Sequence, residues 1–414
     1  MANSANLATK TTMSSLPLPT DIITHEIFAK LPVKSLLRFK CVSKSFNALI
    51  SSPEFIQLHL HESRSSDTNH LGLILADEDR LKLYSIDLDS PDSSVTTIPL
   101  PRTPDLWKSP VVSIVGSING LICVRLVIDI RGFDPYKHIL INPCTRVFRE
   151  IPRCKRTPMA KVFGSFQSSF GFGFDDLNVD FKLVWIVDFL RQANYLFDPV
   201  DPVNVTGREV IVYSLNENTW KLTDTVKEPK DSVRTQNGAL IKNHLLHWIF
   251  SGSNYRYGYR IGCFDIQSDK WTRDVPLMQL IEHNNSKNNK FCVRSLGVIN
   301  GCLSLSTITS SSKVLWILKD YEAKESWVKL FHINQFLTSH FFDFIQPSFC
   351  FRRKSKYEVL IPKFHRQELF WYDIGQGTYD SLKPVIKIPG FVSGCFFRES
   401  LVQIPGGHHI SQDI

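Results

Sequence analysis

The sequence predicts a mainly β protein with a small helical domain at its front, and three observations carry that prediction. From Leu71 onward, short alternating strands are separated by turns rich in Gly, Asn, Asp and Pro, with no long amphipathic helix between them. A unit of strand, polar turn and large aromatic returns along this region at intervals of roughly fifty residues. Ahead of it, the apolar residues of "LPLPTDIITHEIFAKLPVKSLLRFKCVSKSFNALI" (Leu16 to Ile50) fall at helical rather than strand spacing.

Length and composition agree. A chain of 414 residues is too long for one ordinary small domain and suits one large unit plus one small one. Its 43% hydrophobic content is enough for a substantial core, and an aromatic share led by 29 Phe leans toward strands.

The helical elements can be justified in order. Pro19 and Thr20 precede "DIITHEIFAKL", where Pro and an acid suit a first helical turn. Ile23, Ile27 and Leu31 lie four apart on one face, flanked by Ile22 and Phe28, and Leu31–Pro32 stops the helix. "VKSLLRFKCVS" starts a second helix, with Leu36, Leu37 and Val42 apolar; "KSFNALIS" and, after Pro53, "EFIQLHLHE" follow. Each segment is too short to be stable alone. Together they form a three- or four-helix cluster of about forty-five residues, near the lower limit for independent folding. A cluster with surplus apolar surface is expected to bind something.

The β elements repeat. "LYSIDLDSPDSSVTTIPL" (Leu83 to Leu100), "LINPCTRVF" ending at Phe148, "VYSLNENTW" ending at Trp220, "CFDIQSDKW" ending at Trp271, "WILKDYEAKESW" ending at Trp327 and "WYDIGQGTY" ending at Tyr379 are six versions of one hairpin. The first lacks the aromatic. Upstream of three of them, "INGLICV" at Asn119, "QNGALI" at Asn237 and "INGCLSL" at Asn300 each place an Asn-Gly turn before an apolar strand, expected as an inner strand. The spacing is that of four-stranded kelch-like blades, six in number, and favours a propeller over a sandwich or barrel. An insert from Arg191 to Gly207 widens one interval, and "FVSGCFF" with "ESLVQIP" is expected to complete the first blade and close the ring, removing free sheet edges.

Several classes are disfavoured. The nine Cys are odd in number, scattered through apolar contexts and without CxxC or Cys/His ligand spacing, which fits buried reduced thiols and argues against zinc. No run of about 18 apolar residues predicts a membrane span. The matches to glycosylation acceptors at Asn204 and Asn284 lack a secretory signal beside them. The formal charge of +8 is spread along the chain rather than gathered into a stripe, so no nucleic-acid partner is expected. A propeller could host a hydrolase or oxidase, but Asp175, Asp176, Asp265 and Asp269 read as solvated hairpin tips. His244 and His247, three apart on a strand, face opposite sides. "GGHHI" (Gly406 to Ile410) reads as a frayed terminus rather than a metal site. No catalytic residue, metal or cofactor is expected.

The front segment resembles the F-box. The match runs through Leu18–Pro19, the Ile23 and Ile27 pair, "LPVKSLLRFKCVSKSF" from Leu31 to Phe46 and "LISSPEF" from Leu49 to Phe55, with Phe46 standing where many members carry Trp. The remainder is similar to the F-box-associated, kelch-like region of plant F-box proteins, through "SINGLICV" (Ser117 to Val124), "NPCTRVFREIP" (Asn142 to Pro152) and "FGFGFDDLNVDFKLVWI" (Phe170 to Ile186). Self-incompatibility locus and immune-regulating F-box proteins share this layout, so the subfamily stays open.

The resemblance implies the substrate receptor of an SCF-type ubiquitin ligase in the cytoplasm or nucleus, not itself an enzyme. A Skp-type adaptor would hold the F-box on a cullin while the propeller takes an unidentified target protein. It implies adaptor contacts at Leu18, Pro19, Ile23, Ile27, Leu31, Pro32, Val33 and Leu36, with Val42, Phe46 and Leu49 mainly knitting the F-box together. The target-binding residues are unknown; the insert and Ile281 to Lys290 are candidate loops. The expected domains are a disordered leader 1–15, the F-box 16–60, a polar linker 61–70, the propeller 71–405 and a flexible tail 406–414. A scaffold acting outside any ligase is the alternative.

Overall fold

The computed structural model describes residues 21–65, 71–77, 81–87, 95–101, 111–127, 136–155, 165–190, 205–252, 259–275, 277, 292–308, 312–321, 323, 326–334, 350–353, 356–363, 368–373, 378–379, 386–387 and 391–410. Leu18, Pro19, the expected leader, most of the insert and the loop Ile281 to Lys290 lie outside them. The chain divides into two compact units, Met1–Asp67 and Thr68–Ile414.

In the first unit a wide helical turn, Ile22–Ile27, tightens into a 3-10 turn over Phe28–Lys30. Leu31 is extended and Pro32 cannot donate, so the chain breaks before helix α1 (Val33–Phe39). Helix α2 (Lys44–Ser51) is capped by Ser43, whose Oγ accepts from Phe46 N at 3.1 Å. Helix α3 (Pro53–Ser65) has Pro at its first position, and Ser52 Oγ accepts from Phe55 N at 3.2 Å. The core combines Phe28, Val33, Leu36, Ile50, Phe55, Ile56 and Leu60. Phe28 stacks on Phe39 at 5.3 Å and meets Phe46 edge-on at 5.0 Å, so Phe46 fills its aromatic position as expected. The buried His59 donates from Nε2 to the Leu31 carbonyl at 2.9 Å, tying α3 to the Leu-Pro break. Two expectations change. Helix α3 runs through Ser65 into the stretch read as a linker, because no Gly or Pro interrupts it. Val42 is 65% exposed, because α1 ends at Phe39 and helical spacing no longer governs the turn that follows.

The second unit is built from antiparallel sheets of four or five strands. Strands β1 (Leu71–Asp77), β2 (Lys82–Asp87) and β3 (Val95–Pro99) begin the first sheet. The second holds β4 (Val111–Ile118), β5 (Leu121–Val127), β6 (Tyr136–Asn142) and β7 (Val147–Ile151). The third holds β8 (Ser165–Asp175), β9 (Asp180–Leu190), β10 (Val205–Ser214) and β11 (Thr219–Lys227). In the fourth, β12 (Asp231–Val233) and β13 (Ala239–Ile241) both pair with β14 (Leu245–Gly252), followed by β15 (Tyr259–Asp265) and β16 (Lys270–Trp271). The fifth holds β17 (Cys292–Ile299), β18 (Cys302–Ile308), β19 (Ser312–Leu318) and β20 (Trp327–Asn334). The last holds β21 (Cys350–Arg353), β22 (Lys356–Lys363), β23 (Glu368–Asp373), β24 (Thr378–Tyr379) and β25 (Ile386–Lys387). Strand β26 (Phe391–Arg398) then returns to pair with β1, so the first sheet joins the two ends of the domain. A short β27 (His408–His409) pairs with β7. The first strands of successive sheets pack against one another, β26 on β4 and β4 on β8, as in a β-propeller.

Apolar seams fill the spaces between sheets. Alternation splits each strand between two seams: Ile122, Val124 and Leu126 of β5 face the first sheet, while Leu121 and Cys123 face the third. In the second to fifth sheets the aromatic mark at the outer strand packs into the seam with the preceding sheet. Phe148 joins the first–second seam, Trp220 the second–third, Trp271 the third–fourth and Trp327 the fourth–fifth. Trp220 also donates from Nε1 to the Pro152 carbonyl at 2.7 Å. In these four sheets the repeat thus has a packing cause, the outer hairpin wedging its sheet against its neighbour.

The Asn-Gly turns divide. Asn119–Gly120 and Asn300–Gly301 link first and second strands with positive φ at both positions. Each leads into the second strand of its sheet, one place away from the innermost. A Cβ at Gly120 would fall 2.1 Å from Ser400 Oγ, so no other residue fits there. Asn237–Gly238 is not a hairpin turn. Its backbone pairs sideways with the third sheet, Gly238 N donating to Phe170 O at 2.7 Å, and the first turn of the fourth sheet falls at Lys242–Asn243, between β13 and β14.

The tail corrects another expectation. "ESLVQIP" adds no strand, but Leu401 and Ile404 are buried. Asn142 Nδ2 donates to the carbonyls of Ser400 at 3.1 Å and Val402 at 2.8 Å. Gly406–Ile410, read as a free tail, is held by β27 and by Ile410 N donating to Arg146 O at 3.0 Å.

Candidate binding surfaces

On the helical unit the expected adaptor residues separate by burial. Ile27 is 39% exposed and Ile23, Leu31 and Pro32 are half-buried, whereas Val33 at 1% and Leu36 at 0% lie inside the folded chain. Ile22, outside the expected set, is exposed beside Ile27. Helical spacing placed these residues on common faces without saying which face turns inward. Glu26 and Lys30 form an exposed pair at 2.6 Å, the Lys30 hydrogen bond and then its charge holding the Glu26 carboxyl below its usual range.

On the β domain the antiparallel topology sorts the connections of each sheet by end. In the second, third and fourth sheets one end carries the tight turns, such as Asn119–Gly120 and the 176–179 turn, and the other is where the longer connections leave, after β5, β9 and β14. Buried ionic groups lie toward both ends.

At the turn end, Asp175 is fully buried rather than a solvated tip. Its carboxylate accepts from Leu177 N at 3.0 Å, Asn178 N at 3.1 Å and Asn178 Nδ2 at 2.8 Å. It also pairs with Lys182 at 3.1 Å. Burial alone would raise its pKa, but the Asn178 and Lys182 hydrogen bonds win and hold it low. Lys182 crosses the third–fourth seam, donating to Ile266 O at 2.6 Å and Asp269 Oδ1 at 3.2 Å. Asp265 orders its own turn, accepting from Gln267 N at 3.0 Å and Ser268 Oγ at 2.8 Å.

At the other end of the same seam, Arg208 lies over the Phe250 ring, 4.6 Å from its centroid. It donates from Nε to Asp188 Oδ1 at 2.6 Å, from Nη2 to Asp188 Oδ2 at 3.1 Å and from Nη1 to Asp231 Oδ1 at 3.1 Å. Arg260, stacked on the same ring at 4.2 Å, also pairs with Asp231 and reaches Asp274 at 3.0 Å. Burial would lower the Arg208 pKa, but Asp188 and Asp231 raise it.

One seam over, Arg125 occupies the corresponding end between the second and third sheets. Its Nε donates to Ser113 Oγ at 3.0 Å, and it makes no ion pair among the described residues. Burial lowers its pKa, Tyr136 and Cys123 opposing only in part. The signal in sequence was a charge inside an apolar strand: Arg125 in "LICVRLV", Asp188 in "WIVDFL" and Arg208 in "REVIVYS".

The histidines stand apart. His247 is buried in β14, donating from Nδ1 to Ala239 O at 3.2 Å and accepting at Nε2 from Tyr321 OH at 2.6 Å; burial pushes its pKa down to about 4. His244 lies in the preceding turn, so the two do not converge. Among the described residues no cluster of His, Cys, Asp or Glu could hold a metal ion. The described cysteines are free: burial pushes the Cys123 and Cys144 thiols up and Cys395 to about 12, whereas Cys41 is exposed. No described helix is long and apolar enough to cross a membrane.

Comparison with known proteins matches residues 71–404 to the F-box associated beta propeller domain and residues 13–58 to the F-box domain. The F-box protein CPR1 of Arabidopsis thaliana is 27% identical over 88% of this chain and 84% of its own length. The F-box protein At4g22390 of the same plant is 29% identical over 86% and 83%. Among solved structures, a chain of a nidogen/laminin complex covers 79% of this chain and 98% of its own at 9% identity and a TM-score of 0.41.

Proposed function

This chain belongs to the F-box proteins that carry an F-box associated β-propeller domain, and from that premise we propose that it is the substrate receptor of an SCF-type ubiquitin ligase. In this reading the helical unit binds a Skp-type adaptor and, through it, a cullin, and the propeller holds a target protein for ubiquitination in the cytoplasm or nucleus. Each sheet is one blade of a six-bladed ring, and the end bearing the long connections meets the target. The chain supplies recognition and no catalytic group.

The observation that carries the reading is the F-box match together with exposed apolar side chains on its first helical turn. Ile22 and Ile27 are 43% and 39% exposed, an apolar pair of the kind a partner's groove covers. We assign adaptor contact to Ile22, Ile23, Ile27, Leu31 and Pro32, with Leu18 and Pro19 ahead of them. Val33 and Leu36 support that surface from beneath.

Co-expression with a plant Skp-type adaptor tests this, read as co-elution in gel filtration. Ile27→Asp is expected to abolish co-elution while changing stability by no more than about 0.5 kcal/mol, as at other exposed positions. Leu36→Asp is expected to unfold the helical unit, because it places a charge at a fully buried site. Undiminished co-elution of Ile27→Asp would move the interface elsewhere. Adaptor binding without cullin recruitment would favour a scaffold outside the ligase.

A further inference from the structure

We propose that the long-connection end of the seam between the second and third sheets is a carboxylate-recognition site, built on Arg125 with Tyr136, His138 and Phe170. It takes an acidic side chain or a free C-terminus of a target polypeptide. The proposal rests on the reading of the β domain as a target receptor and names the chemistry that receptor selects.

Register brings the groups together. Ser113, Arg125 and His138 are cross-strand neighbours on β4, β5 and β6. Arg125 alternates with Cys123 and Leu121, which places its side chain in the seam facing β8. There its guanidinium carbon lies 5.4 Å from the Tyr136 ring centroid and 5.4 Å from that of Phe170. His138 stands beside it, its ring 4.5 Å from Phe170.

Among the described residues no anion completes the site. Arg125 is 7% exposed, and its one hydrogen bond among the described residues goes to a serine hydroxyl through Nε. The terminal guanidinium nitrogens make no hydrogen bond to a described residue. His138 is 5% exposed, and its buried Nε2 has no hydrogen-bond partner among the described residues. A buried cation and a buried imidazole nitrogen thus lie against the same Phe170 ring with hydrogen-bonding capacity that no described residue takes up, which folding alone does not favour. The next seam shows the alternative, since Arg208 at the corresponding end is neutralised by Asp188 and Asp231.

Charge selects the class of anion. Burial, with the Arg125 charge adding to it, pushes the His138 pKa down to about 3, so the imidazole is neutral near pH 7 and supplies no second positive charge. Lys137 lies on the opposite face of β6 and is paired with Glu150 at 2.7 Å. One guanidinium matches one carboxylate, which it holds with two parallel N–H donors. A phosphate carries about −1.5 to −2 and calls for further cations.

The test uses the full chain co-expressed with its adaptor and pooled peptides with randomised flanks. The pools have a fixed central Glu, Gln or phosphoserine, all C-terminally amidated, and a fourth has a free C-terminal carboxylate with Gln at the centre. The Glu or free-acid pool is expected to be retained at least about tenfold over the amidated Gln pool, the scale of one charge-assisted contact. Arg125→Gln is expected to bring that ratio to one. Preference for internal Glu identifies a side chain as the source; preference for the free acid identifies a C-terminus. Equal retention of all pools, or preference for phosphoserine, overturns the assignment. So does a ratio unchanged in Arg125→Gln.

A melting curve keeps the variant interpretable. Arg125→Gln is expected to melt within about 2 °C of the parent or above it, whereas Arg208→Gln falls by several degrees. An equal fall in both would make Arg125 structural and sink the proposal. Adaptor co-elution is read on the same preparations. Failure there with acid selection intact removes the ligase reading and leaves the carboxylate site standing.

Discussion

Arg208 and Arg125 lie at corresponding ends of adjacent seams, each buried and each against an aromatic ring, yet they differ in what neutralises them. Arg208 has two carboxylates, one of which also accepts from Val233 N at 2.8 Å and so stitches the third sheet to the fourth. Arg125 has a serine hydroxyl. The difference teaches that a charge inside a β seam has two uses. Satisfied by its own chain it fixes how two sheets dock; given no anion by the described residues, as at Arg125, it is the binding group proposed above.

The largest expected effect comes from making the satisfied seam resemble the other. Asp188→Ala removes both oxygens from the Arg208 fork and leaves the guanidinium with Asp231 alone. We expect a loss of about 3–5 kcal/mol, the usual consequence of breaking a buried pair from one side. Urea unfolding measures it. A loss below about 1 kcal/mol would mean that the Asp231 network compensates and that neutralisation is not what holds this seam.

Acidification sharpens the same comparison. The folded-state pKa of His138 is about 3, below its ordinary 6.5, and that of His247 is about 4. A depressed histidine pKa means that the unfolded chain binds more protons in the window between the two values. Their contribution is therefore complete above about pH 6.5 and is lost as pH falls, at about 1.4 kcal/mol per pH unit for each group. Arg125→Gln removes a nearby positive charge, so the His138 window is expected to shorten from its acid side. Arg208→Gln is expected to leave that window unchanged. Stability measured from pH 7 down to about pH 2.5 in the three proteins separates these outcomes, because the acid side of the window lies near the folded His138 pKa of about 3.

Much of this architecture is legible in the sequence where one residue type solves a local problem. Asn119–Gly120 and Asn300–Gly301 announce their turns because positive φ at both positions restricts the residues that fit. Trp220, Trp271 and Trp327 recur because each outer hairpin must wedge against the preceding sheet. What the sequence conceals depends on distant partners. Asn237–Gly238 has turn composition, yet its backbone is claimed by Phe170 of another sheet. His408–His409 looks like a loose end until Val147 and Phe148 supply an edge for it. On the helical unit, spacing groups Val33 and Leu36 with Ile27 and leaves open which side the core will cover. Arg125 stands out in "LICVRLV" as a charge among apolar residues, but its difference from Arg208 rests on carboxylates brought in by other strands.

The smallest stability change tests the comparison from the opposite direction, by giving the unsatisfied seam a carboxylate of its own. Ser113 Oγ is 3.0 Å from Arg125 Nε, so Ser113→Asp places an anion where the hydroxyl now accepts. The new pair forms on the second sheet itself, where β4 and β5 are neighbours, and demands no movement of the third. Desolvating the carboxylate offsets most of the Coulombic gain, and the net effect on unfolding is expected to lie between nothing and about 1 kcal/mol of stabilisation. Peptide selection should respond far more, because the incoming carboxylate now competes with one that is covalently present at high effective concentration. The preference for acidic over neutral peptides is expected to vanish in Ser113→Asp and to persist in Ser113→Ala, which only removes the hydroxyl that accepts from Nε. If Ser113→Asp still selects acidic peptides, their carboxylates are read by some other cation, and the contrast between Arg125 and Arg208 has no bearing on recognition.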